Sequence, residues 1–127
     1  EALVARKILL DYNIEIRVVN MPWLNIIDDE FIECNLMNDK INYIIEDHMK
    51  YGGLFDHVNA KLNQCENILK INCLGLNQFP KCGNPMEVLE HSKLNALAIS
   101  KLVGDLFGKN VKLHENKTGR DYSFSPQ

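Results

Sequence analysis

The polar residues with the clearest potential for chemistry form one cluster in the first half of the chain. Glu46, Asp47 and His48 are consecutive at the end of an apolar run, and Lys50 follows. Carboxylates and imidazoles at the end of a strand can act as acids, bases or metal ligands. Gly52 and Gly53 come next. Glycines let the backbone turn tightly and approach a ligand or another chain. We therefore predict a ligand or interface site made of Glu46, Asp47, His48, Lys50, Gly52 and Gly53.

A structural role for the same residues is the alternative hypothesis. In that case Glu46 or Asp47 accepts hydrogen bonds from backbone amides in the turn, and His48 packs at an interface. His57 lies nine residues after His48, whereas two zinc ligands on one helix face are four residues apart. From the sequence we assign no catalytic, cofactor-binding or metal-binding residue.

The cysteines and the common catalytic motifs add little evidence for a metal or catalytic site. Cysteines occur at 34, 65, 73 and 82 without the CxxC spacing of zinc sites. Cys65 and Cys73 flank or lie within an apolar stretch, so we expect thiols in a reducing compartment. Cys82 could be an exposed nucleophile, but loop cysteines without a nearby histidine are usually inert. GxGxxG, Walker and GxSxG motifs are absent.

Length and charge narrow the class of protein. The chain has 127 residues, which suits one compact domain, and 46% of them are hydrophobic. Its 14 basic and 17 acidic residues give a net charge of −3, which argues against a nucleic-acid or anionic-membrane partner. No apolar run approaches the ~18 residues of a membrane span, and no signal peptide opens the chain. We expect a soluble protein of the cytoplasm, or of an organelle lumen of reducing character.

Alternating helix and strand patterns predict the elements that hold the cluster. Apolar residues at three- and four-residue steps indicate helices at 1–12 and 94–107. Shorter helices are predicted after Asp28 or Asp29 as the N-cap, after the Gly52-Gly53 pair, and with Pro85 in the first turn. Runs of β-branched residues indicate strands at 14–21, 41–45 and 68–74. The fold class is therefore α/β, a three-layer domain with a mainly parallel sheet and helices on both faces. Because the chain starts inside a helix without a cap, we expect its first strand to be missing.

Three segments resemble the landmarks of the transketolase C-terminal domain, in that family's order and spacing. They are IRVVNMPWLNIIDDEF, IIEDHMKYGGLFDHV, and LGLNQF followed by CGNPMEVLEHSKLNALAISKLV. The most specific is the strand that ends in Glu46-Asp47-His48, with Gly52-Gly53-Leu54 after it. On this resemblance, residues 1–108 are a transketolase C-terminal-like domain and residues 109–127 a polar C-terminal tail or extension.

The resemblance implies a dimeric thiamine-diphosphate enzyme of three α/β domains. Such an enzyme transfers a two-carbon ketol unit between sugar phosphates, and a divalent metal (Mg or Ca) holds the diphosphate of the cofactor. This domain would mainly support domain packing and dimerisation, so the isolated chain would be inactive. The implied partners are the remaining domains or subunit of the enzyme, and a second copy in a homodimer. His48, if it reached the assembled active site, would orient a substrate oxygen or phosphate.

The chain departs from the family pattern in two places. Phe55 stands where the family usually has a small residue, often glycine. The GDG motif of thiamine enzymes is absent, because Gly104-Asp105 continues into Leu106 within a predicted helix. We therefore expect that this chain alone binds neither thiamine diphosphate nor its metal, and that it is a fragment or one part of a split enzyme.

Two sister groups share the domain and remain alternatives. They are the deoxyxylulose-phosphate synthases and the β subunits of 2-oxo acid dehydrogenases. In either group the chain would be a partner-docking or small-anion-binding module, with Lys50 and a helix N-terminus attracting the anion. The MPW and EDH sequences favour transketolase. An independent hydrolase or redox enzyme using His48 or Cys82 has the least support, since no triad or thiol pair can be assembled.

Overall fold

The computed structural model describes residues 1–24, 26–36, 38–64 and 69–112. In these ranges the elements are α1 (Ala2–Leu10), α2 (Asp29–Asn35), β1 (Asn42–Met49), α3 (Leu54–Leu62), β2 (Ile71–Leu76), α4 (Pro85–His91) and α5 (Ala96–Leu106). The two strands are parallel, which confirms the predicted α/β class. The chain divides into a helical unit, Glu1–Val18 with Asn95–Gln127, and a sheet unit, Val19–Leu94.

The helical unit is built on the packing of α1 against α5. Ala5 and Leu9 of α1 and Ser100 of α5 are each 0% exposed. The Ser100 hydroxyl donates to the Ala96 carbonyl at 2.7 Å and lies 3.4 Å from the Ala5 carbonyl, so this polar group is satisfied inside the contact. The Glu1 carboxylate accepts a 2.6 Å hydrogen bond from the Ala96 amide at the start of α5. The two helices are therefore joined at their starts and again near their middles.

The segment after α5 folds back onto the helical unit. Gly108 has a φ of +64°, as its predicted position just past the helix end requires. Val111 is 1% exposed and packs on Gly104, where an added Cβ would overlap its side chain. The Tyr12 hydroxyl donates to the Lys112 carbonyl and accepts from the Lys112 amide, both at 2.9 Å. Residues 113–127 of the predicted tail lie outside the described residues.

The sheet unit contains the β1–α3–β2 crossover. Residues 42–45 of β1 pair in step with residues 71–74 of β2, and the next partners are Met49 and Leu76. Residues 46–48 of β1 thus face Gly75 alone, which makes β1 bulge. Beyond the pair, the Lys50 amide donates to the Leu76 carbonyl at 3.1 Å. The core of the unit joins Ile32 of α2 to Val58 and Leu62 of α3.

The predicted helix starts are confirmed by their caps. The Asp28 carboxylate accepts from the Phe31 amide at 2.7 Å at the start of α2. Asn84 and Glu87 form a capping box at the start of α4, with Pro85 in its first turn. Gly53 is the N-cap of α3, and it has no side chain to offer the free amides of that helix.

The strand predicted at 14–21 is wrong. Its β-branched residues favour extended backbone, but a strand also needs a neighbour that supplies hydrogen bonds. The described residues pair only β1 with β2, and the Ile14 amide instead donates to the Leu9 carbonyl at the end of α1. The strand predicted at 41–45 continues to Met49. The one predicted at 68–74 covers Ile71–Leu76, and Ile68 lies outside the described residues.

Candidate functional site

Glu46 is the residue around which the predicted cluster is built. It lies inside β1, in the bulge, and its side chain is half-buried. Its carboxylate accepts hydrogen bonds from the Leu54 amide at 2.8 Å and the Phe55 amide at 3.4 Å. These amides belong to the first turn of α3, where backbone donors have no partner within the helix. Glu46 therefore supplies from the strand the cap that Gly53 cannot provide, and its negative charge suits the positive end of the helix.

The two glycines of the turn have different tasks. Gly52 has a φ of +76°, a conformation that side-chain-bearing residues rarely adopt. Its amide donates to the Asp56 carboxylate at 2.6 Å, which closes the turn onto the first turn of α3. Gly53 is buried, and a Cβ there would overlap the Glu46 carboxylate. Gly52 is therefore needed for its backbone angle, and Gly53 for the space that it leaves.

Gly75 is a site residue that the sequence analysis missed. A Cβ on it would lie 3.1 Å from the His48 carbonyl oxygen and 3.2 Å from Cγ of Glu46. The absence of a side chain at this position lets the bulge of β1 approach β2. A glycine inside a strand is a signal for such a bulge, but the predicted strand ended at residue 74 and β2 continues through Gly75 to Leu76.

Cys73 of β2 contacts the Glu46 carboxylate from the neighbouring strand. Its thiol donates to the Glu46 carboxylate at 3.6 Å. Burial, and then the neighbouring negative charge of Glu46, raises the pKa of the Cys73 thiol from 9.0 to about 11. The thiol is protonated at neutral pH and is a poor nucleophile. Cys73 therefore acts as a hydrogen-bond donor that helps to hold the capping carboxylate.

Three predicted site residues remain, Asp47, His48 and Lys50. Asp47 and His48 are exposed, and His48 Nδ1 lies 2.9 Å from the Met49 carbonyl oxygen. In that contact Nδ1 is the donor, because a carbonyl oxygen only accepts. Lys50 is half-buried, with its Cγ 3.3 Å from where a Gly75 Cβ would stand. The structural alternative is thus confirmed for Glu46, whereas the ligand or interface role of the six residues stays a prediction.

The remaining chemical candidates do not assemble into a centre. In the described ranges, no group of three or more His, Cys, Asp or Glu side chains could hold a metal ion. Cys82 is exposed, and Cys65 lies outside the described residues. Gly104-Asp105 belongs to α5 and not to a loop. The donor set described here does not fit thiamine diphosphate with its metal, so we derive no step through that cofactor on this chain.

The surface of the sheet unit carries an open pocket with an ion pair at its rim. The pocket has a volume of about 190 Å³ and is lined by Leu24, Ile27, His57, Ala60, Lys61 and Gln64. The Lys61 ammonium at its rim forms a 3.0 Å ion pair with Asp29. None of the helices in the described part of the chain is long and apolar enough to cross a membrane.

The fold and the capped turn define an α/β domain with parallel strands, and the family comparison identifies it. The model of the family described as "Transketolase, C-terminal domain" matches residues 1–99. The chain therefore belongs to the transketolase C-terminal domain family, which confirms the resemblance. This family is the C-terminal part of thiamine-diphosphate enzymes, so the domain works with further domains or subunits. No curated protein and no solved structure matches the chain.

Proposed function

We propose that this chain is the C-terminal domain of a transketolase-type transferase, which moves a two-carbon ketol unit between sugar phosphates. The observation that carries the proposal is the family match, which runs from α1 into α5 and includes the whole Glu46–Gly53 turn. Thiamine diphosphate and its divalent metal, Mg or Ca, belong to the other domains of this enzyme. We place the enzyme in the cytoplasm or a reducing organelle lumen, which agrees with the free thiols of Cys73 and Cys82.

The task of the domain in this proposal is packing against the other domains and dimerisation. Its sheet unit exposes large apolar side chains close together in the sequence, at Val19, Trp23, Leu24 and Ile26. Tyr51 and Phe79, just beyond the ends of β1 and β2, are 82% and 89% exposed. Exposed apolar groups in such numbers are typical of surfaces that contact another protein. Asp47, His48 and Lys50 lie close to Tyr51 in the sequence and would contribute the polar part of that interface.

The alternative of a small-anion-binding module is less well supported. An anion would bind at the N-terminus of α3, where free amides and the helix dipole attract negative charge. The Glu46 carboxylate already accepts from two of those amides. A second anion would therefore meet a negative charge held in place by the fold, which Lys50 would have to offset. Partner docking is the better supported use of this turn.

An activity assay on the protein that carries this chain tests the proposal. The purified protein is incubated with a ketose phosphate donor and an aldose phosphate acceptor, with and without thiamine diphosphate and Mg²⁺. We expect two-carbon transfer that requires the cofactor. Pyruvate condensation with a triose phosphate would instead identify a deoxyxylulose-phosphate synthase. Decarboxylation of a 2-oxo acid that requires an α subunit would identify a dehydrogenase β subunit. Either result would contradict the transketolase assignment.

A further inference from the structure

We draw no further inference here: the strongest candidate, the open pocket that α3 forms with the residues preceding α2 in the sheet unit, carries none, because the Lys61 ammonium at its rim is already paired with Asp29 and nothing in the described part of the structure shows what would fill or cover it.

Discussion

Replacing Glu46 tests whether a strand carboxylate caps α3. In Glu46→Ala the Leu54 and Phe55 amides lose their acceptor in a half-buried place. A lost helix cap costs about 1 kcal/mol, and a hydrogen bond to a charged group contributes roughly 1.5–3 kcal/mol. Because the Phe55 bond is long at 3.4 Å, we expect a total near 2 kcal/mol for the first turn of α3. Glu46→Gln keeps one acceptor oxygen without the charge and should cost about half as much.

Amide hydrogen exchange in the whole protein is the suitable assay, because it reports on this turn alone. A loss of about 2 kcal/mol corresponds to roughly thirtyfold faster exchange at Leu54 and Phe55. The exposed neighbour Asp47 provides the control, and Asp47→Ala should leave these amides protected. Unchanged exchange in Glu46→Ala, or equal acceleration in both variants, would show that Glu46 is not the cap and that our account of the turn is wrong.

Three further changes test other parts of the structure. Gly53→Ala forces a Cβ onto the carboxylate behind it and should lower the free energy of unfolding by about 1–3 kcal/mol, measured by urea denaturation. Because the pKa of Cys73 is raised to about 11, iodoacetamide at pH 8 should modify it roughly tenfold or more slowly than the exposed Cys82, with a rate that keeps rising toward pH 11, since the smaller thiolate fraction outweighs the greater nucleophilicity of that thiolate. Equal rates would contradict the contacts of Cys73. Gly104→Ala should destabilise the helical unit through overlap with Val111, and adding Val111→Ala should recover part of the loss in a double-mutant cycle. Additive effects of these two changes would contradict that contact.

Local patterns in the sequence were sufficient to predict the helices. The caps at Asp28 and Asn84 depend on side chains that bond amides two or three residues away. Such bonds are encoded within a few neighbouring residues. The same holds for Gly108, whose positive φ follows directly from its place after α5. The strand predicted at 14–21 is wrong for the opposite reason, because pairing requires a distant partner that composition does not specify.

The candidate site could be located from the sequence but not understood from it. Glu46, Gly52 and Gly53 attracted notice by type and order, yet the role of Glu46 depends on the bulge opposite Gly75. A shift of one residue in register would turn the carboxylate to the other face of the sheet. The link to Cys73, 27 residues away, depends on the same register. A single sequence does not state how two strands align, so these contacts appear only in the folded chain.

The separation along the chain between Glu46 and the amides it caps has a consequence for folding kinetics. The carboxylate and the Leu54 amide are eight residues apart, and loops of this length close in roughly 10–100 ns. The pairing of Asn42 with Ile71 must close a segment more than three times as long, at a greater cost in chain entropy. We therefore expect the strand end, turn and first turn of α3 to associate before the sheet forms. The turn that carries the family's most specific residues would then be where folding of the sheet unit begins.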